Sequence, residues 1–181
     1  MSAYKLWQRI KAANNRKNME KTTSLELRKL TPNGLSNVDL SGLNLSKLNL
    51  NTFLPDRRIL GAWFNNCTMI KCDLRSAHIS KSEFRETILR QAEFTDCMID
   101  MSDFYRASLV DTAFSNCSIK NTSFLNCDLR HTNFYYAVLS HVDFRGANLE
   151  GAVALNAVFV HCFFDPCWLI KDGVFTRHDY D

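Results

Sequence analysis

Between residues 128 and 149 the chain reads DLRHTNFYYAVLSHVDFRGANL, and a bulky apolar residue recurs at Leu129, Phe134, Leu139, Phe144 and Leu149. The spacing is five throughout. A strand facing a core repeats every two residues and an amphipathic helix every 3.6, so neither element alone accounts for it. The series runs from Leu54 through Ile59, Phe64 and Met69 to Leu169 and Val174; only Ala154 is small and no member is polar. A second series lies two residues ahead of it, from Ala62, Cys67 and Cys72 to Cys162 and Cys167, and its members are nearly all small. One large and one small inward residue per five, with three outward residues between, describes a short extended side followed by a turn. A chain that turns at each side coils into a solenoid, in which every coil buries its inner face against its neighbours.

Longer lags give the number of sides. At lag twenty, Phe64, Phe84, Phe104, Phe124, Phe144 and Phe164 form an unbroken phenylalanine column. Met69, Leu89, Leu109, Leu129, Leu149 and Leu169 form an aliphatic column, and Ile59, Ile79, Ile99 and Ile119 a β-branched one that ends in Leu139 and Phe159. A lag of fifteen mixes Phe with Leu, and a lag of ten merges the Leu and Ile columns. Four sides fit best, which predicts an all-β solenoid with these columns at its core.

The units ANLEG (147–151), TNFYY (132–136), CDLRH (127–131) and SDFYR (102–106) approximate Ala-(Asp/Asn)-Leu-X-X. In this the chain resembles the pentapeptide-repeat family, over roughly residues 35 to 169. The resemblance implies a right-handed quadrilateral β-helix. With coils stacked about 4.8 Å apart, it also implies a rod on the order of 30 Å long. It implies function as well. Many members are regarded as non-catalytic protein-interaction modules, among them bacterial effectors and regulators. Another branch mimics duplex DNA, binds gyrase, confers quinolone protection and tends to carry a dimerising C-terminal helix.

The pattern has one fault. In SNVDLSGLNLSKLNL the large residues Leu35, Leu40, Leu45 and Leu50 run one residue out of phase with Leu54 onward. The slip falls in NTFLPDRR, which carries Pro55, and predicts a bulge or small loop near 51–58. The expected organisation is therefore a basic segment at 1–30, a repeat body at 31–169 and a C-terminal cap or tail at 170–181. An uncapped solenoid exposes core and strand edges. AYKLWQRIKAA places Leu6, Ile10 and Ala13 on one helical stripe with Trp7 beside it, which reads as a short N-terminal helical cap. The alternative is a basic amphipathic segment for a membrane surface or a partner. At the other end Phe163, Trp168, Ile170 and Phe175 supply a plug for the last coil or a dimer seam.

Charge is uneven: residues 1–30 hold eight Lys/Arg against two Glu, whereas the remaining chain holds 14 against 17 Asp/Glu. That body lacks the dense negative charge of duplex DNA, about one per 1.7 Å of axis. The basic N-terminal residues lack interleaved aromatic platforms, which argues against direct nucleic-acid binding. No run approaches the roughly 18 apolar residues of a membrane span, and the N-terminus lacks the apolar core of a secretory signal. A cytoplasmic protein is the expectation, and export as an effector without such a signal stays open.

No residue pattern calls for a cofactor or a catalytic centre. All seven Cys occupy the small inward position, where a free thiol behaves as a small hydrophobe. Cys97 and Cys117 fall in adjacent coils, which leaves a disulfide geometrically conceivable. SHVD (140–143) contains Ser, His and Asp, but the period turns Ser140, His141 and Asp143 toward solvent. His141 and His161 should be neighbours in one column. The outward acids Glu83, Asp103 and Asp143 share a column with arginines nearby. More informative are large apolar residues at outward positions: Tyr105, Leu125, Tyr135, Tyr136, Val138, Leu155 and Val158. They read as a surface for an unidentified protein partner or for a homodimer, through this patch or an end cap. Coverage by the C-terminal tail is the competing reading.

Overall fold

A computed structural model of the protein describes residues 35–54 and 56–178. Seven short strands form one parallel sheet in sequence order: β1 (Leu35–Ser36), β2 (Arg58–Leu60), β3 (His78–Ser80), β4 (Met98–Asp100), β5 (Ser118–Lys120), β6 (Val138–Ser140) and β7 (Val158–Val160). From β2 onward each residue pairs with the one twenty positions later, as in Ile59↔Ile79 and Ile79↔Ile99. Three further ladders repeat the lag through single bridges: Glu83↔Asp103, Ile88↔Ser108 and Glu93↔Ala113. The coil is therefore four-sided. Side one is the sheet, behind which the Ile column lies; sides two, three and four carry the columns of Phe64, Met69 and Leu74.

The corners explain why five residues suffice for a side. The N–H of Cys67 donates to the carbonyl of Phe64, that of Cys72 to Met69 and that of Ala77 to Leu74. The residue before the donor has positive φ at each: Asn66 57°, Lys71 58° and Ser76 58°. A positive φ at the third turn position is the mark of a type II turn. At Gly146 (φ 70°) the need for glycine is doubled, because a Cβ there would also run into the Asn126 side chain of the coil before.

The interior follows from the stacking. Phe64, Phe84, Phe104, Phe124 and Phe144 are fully buried, with neighbouring rings stacked 4.7 to 5.4 Å apart. Leu89, Leu109, Leu129 and Leu149 are likewise sealed. Side four contributes a second aromatic column, Phe94, Phe114 and Phe134, which meets the first edge-on: Phe104 and Phe114 lie 6.3 Å apart at 89°. Edge-to-face and offset contacts are the favoured geometries of aromatic pairs. Polar members of the small series are satisfied within the wall. The hydroxyls of Thr87, Thr112 and Thr132 donate to the carbonyls of Phe64, Leu89 and Leu109 of the coil before. The Ser82 and Ser102 hydroxyls accept the N–H groups of Ala62 and Ser82.

The predicted phase slip is an insertion. Leu35 pairs with Ile59 and Asp39 with Trp63, a lag of 24 where the later coils keep twenty. Four extra residues are one short of a unit, hence the shift by one. They are taken up by a 3-10 turn at Leu50–Phe53, capped by the Asn49 side chain, which accepts the Asn51 N–H. The expected N-terminal helical cap lies outside the described residues.

At the C-terminal end the structure corrects the sequence reading. Leu169 does not extend the leucine column; it is half exposed in an antiparallel hairpin of β8 (Trp168–Lys171) and β9 (Val174–Arg177). The physical reason is Pro166. It occupies the corner position that has positive φ at Asn66, Glu86, Arg106 and Asn126, and the proline ring locks φ near −65°. The chain leaves the coil there. β9 returns across side four, antiparallel to Val153, and inserts Phe175 against Phe159 and Phe164. Phe175 is the plug; Trp168 is part-buried, whereas Phe163 and Ile170 remain exposed. Phe164 stacks 4.9 Å from Phe144 but is only half covered, as the end of a column must be.

Phe104 sits mid-column, so Phe104→Ala should destabilise by about 3–5 kcal/mol in equilibrium denaturation. A loss under about 1 kcal/mol contradicts its place in the core.

Candidate interaction surface

Of the residues singled out from the sequence, the fold gathers five and separates two. Tyr135, Tyr136 and Leu155 lie at the corner between sides four and one, and Val138 and Val158 pair beside it on β6 and β7. All five are exposed, and the two tyrosine rings meet edge-to-face at 4.4 Å. Tyr136 holds a positive φ of 55°, a conformation rare for a bulky residue, which turns its ring outward. Tyr105 and Leu125 stack in one column, the Arg106 N–H donating to the Leu125 carbonyl, but at the corner between sides two and three. They are half-buried, and the Arg106 guanidinium covers the Tyr105 ring at 5.1 Å. They form no part of the Tyr135 patch.

The tail meets this patch without covering it. A Cβ at Gly173 would come within 2.9 Å of Leu155 Cβ, so the hairpin turn rests on Leu155, which stays 47% exposed. Beyond those five, Val160, Phe163, Leu169 and Ile170 are also exposed. Val160 and Phe163 flank an inward residue and were outward by the period alone. Ile170, next to Leu169, was outward by the same period, and Leu169 required knowledge that the coil had ended.

The charged surface is internally compensated. Arg75, Arg130 and Arg145 each grip the aspartate two residues earlier, Asp73, Asp128 and Asp143, with closest contacts of 2.7 Å. These hydrogen bonds hold the three carboxyls below the usual aspartate range. Arg85 bridges to Asp103 across coils at 2.7 Å. Two of the three acids in the outward column, Asp103 and Asp143, are thus neutralised, and Glu83 accepts from the Asn65 amide.

The Ser140 hydroxyl lies 2.9 Å from His141 Nδ1, but Asp143 is committed to Arg145 on the adjoining side. Ser140, His141 and Asp143 are therefore not joined in a relay. An open depression of about 300 Å³ crosses the outer face of β2–β5, lined by residues of mixed charge including Arg58, His78, Asp100 and Lys120. Asp100 there accepts from the Asn121 amide. Among the described residues no three His, Cys, Asp or Glu side chains converge as a closed metal centre would require. The seven cysteines are free thiols, five of them buried. Burial pushes Cys67 and Cys72 up to about 12, and it raises Cys117 and Cys127 as well.

Two family models match: the pentapeptide repeat region over residues 97–171, and pentapeptide repeats over 61–91 and 72–111. Among solved structures, a pentapeptide repeat protein (Rfr23) of the cyanobacterium Cyanothece 51142 is 17% identical, with 81% of this chain and 96% of that one covered and a TM-score of 0.34. Trypsin-treated QnrB1, a plasmid-mediated fluoroquinolone resistance protein, is 16% identical over 72% of this chain and 79% of its own, at a TM-score of 0.32. A pentapeptide repeat protein of the Arabidopsis thaliana thylakoid lumen is 22% identical over 65% and 66%, at 0.31. No protein among curated sequences matches.

Thiolates are the reactive form, so iodoacetamide at pH 8 should modify the part-exposed Cys162 and Cys167 well before the five buried cysteines. Peptide mapping that finds Cys67 or Cys117 alkylated at the same rate in the native protein contradicts their place in a closed wall.

Proposed function

The chain belongs to the pentapeptide-repeat family, and from that premise we propose that it is a non-enzymatic protein-interaction module, a rigid scaffold that presents side chains at fixed spacing. The observation that carries this reading is the cluster of Tyr135, Tyr136, Val138, Leu155 and Val158, all exposed on adjacent coils. Exposed apolar patches with aromatic anchors and a polar rim are how protein-binding surfaces are built. Here Ser140, Asn133 and Asn156 supply the rim. Because Val138 and Val158 are held in strand register, the patch is set before a partner arrives, which lowers the ordering cost of association. A second copy of the chain and a different protein are both served by such a surface.

The DNA-mimic reading draws less support. A gyrase-binding mimic needs dense, uncompensated negative charge to stand in for phosphates, and four of the aspartates on this surface, Asp73, Asp103, Asp128 and Asp143, are held by Arg75, Arg85, Arg130 and Arg145. The last described element of this chain, β8–β9, is an antiparallel hairpin, unlike the dimerising helix which that branch tends to carry.

Serine already occupies both tyrosine positions in other coils: Ser115 stands one coil before Tyr135, and Ser76 takes a φ of 58° in the Tyr136 column. Tyr135→Ser with Tyr136→Ser should therefore leave the melting temperature unchanged while weakening self-association or partner capture. Sedimentation velocity and pull-down that do not distinguish the variant from wild type count against the patch.

A further inference from the structure

We propose that His141 and His161 form a surface site for an imidazole-preferring divalent cation, such as Zn²⁺, Ni²⁺ or Cu²⁺, that bridges two successive coils. The two residues occupy the same corner position one coil apart, with φ of 55° and 51°. Their backbones are fixed to one another's coil, since the His141 N–H donates to the Val160 carbonyl at 2.9 Å. The ring centroids lie 5.1 Å apart, and the planes are tilted by 39° rather than stacked flat. Two nitrogens bound to one metal at about 2.0–2.1 Å stand roughly 3 Å apart. Rotation of the His161 ring about χ2, a broad torsion in histidine, brings its nitrogen toward His141 without moving the backbone.

The surroundings favour the pair as ligands. His141 Nδ1 lies 2.9 Å from the Ser140 hydroxyl; in the tautomer whose Nδ1–H donates to that oxygen, Nε2 carries the metal-binding lone pair, the arrangement by which outer-shell contacts position metal-bound imidazoles. Both side chains are exposed. The nearest carboxylate in sequence, Asp143, has its two oxygens on Arg145. The Cys162 thiol turns inward, toward the Leu139 carbonyl. Two protein nitrogens are fewer than a closed zinc site uses, so water completes the coordination and the ion exchanges. Imidazole ligation selects late first-row cations over Mg²⁺ or Ca²⁺.

The placement has a consequence. His161 belongs to the last coil, where Phe159, Cys162 and Phe164 are only part-buried. A chelate from His141 to His161 fastens that coil to the one before it, so a bound cation stabilises the end of the rod by preferring the folded state.

The test titrates NiCl₂ and ZnCl₂ into the full chain by calorimetry. Asn121 stands in the same column with φ 48°, so His141→Asn and His161→Asn keep the corner. Wild type should bind one equivalent and melt at higher temperature with Zn²⁺. Each variant should lose at least about tenfold in affinity, because the second bond of a chelate forms intramolecularly, and should lose the thermal shift. His78→Ala, on another part of the sheet, should bind as wild type does. Absence of saturable binding, a loss confined to one of the two variants, or a loss caused by His78→Ala overturns the proposal.

Discussion

Each coil satisfies its backbone through the coils before and after it: Phe64 N–H donates to the Glu83 carbonyl, Phe84 to Asp103, Phe104 to Ser123 and Phe124 to Asp143. Buried backbone groups left unpaired are costly, so the corners of successive coils must superpose; from Arg58 onward they do so by an advance of twenty residues per coil, and the one longer coil must loop its four extra residues out in the turn at Leu50–Phe53. The rest of the architecture follows from this requirement. Side chains twenty apart stand directly over one another, which is why phenylalanine columns rather than a mixed core fill the interior. It is also why one turn geometry recurs at corner after corner.

The same requirement governs where the solenoid ends. A residue that cannot take positive φ at a corner cannot pass the chain to the next side, and Pro166 is such a residue. Beyond it, closure is achieved by a different device, a hairpin whose Phe175 fills the last layer. The end is sealed less completely than the middle. Its inward residues Phe159, Phe164 and Trp168 are part-covered, and exposed Val158, Val160 and Phe163 lie beside them. Much of the exposed apolar surface is therefore concentrated toward the C-terminal coils, where the structural repeat runs out.

Much of this was legible in the residues because a period of five, unlike a hydrophobic average, sorts every position into inward or outward. It assigned the Phe and Leu columns, the buried cysteines, the four sides and the phase slip before Ile59. It misplaced Leu169 because apolar spacing carries no information on φ, and the letter pattern persisted for one unit after Pro166 had made the turn impossible. The grouping of Tyr105 and Leu125 with Tyr135 failed for a simpler reason. Both point outward as the period requires, but they are half-buried, and the corner each belongs to follows only from counting positions around the coil. The engagement of Asp73, Asp128 and Asp143 by arginines two residues on depends on side-chain direction across a turn, which the period suggests and geometry decides.

The central claim is that the twenty-residue advance, rather than any local preference, specifies the fold. Deleting residues 100–119 joins Ile99 to Lys120 and removes one whole coil, and deleting 100–118 removes one residue fewer. The melting curves of both variants, followed by circular dichroism, test the claim directly. The first should keep a cooperative transition and the parallel-sheet signal of the parent, and the second should lose both. Equal cooperativity in the two, or loss of folding in the first alone, contradicts it.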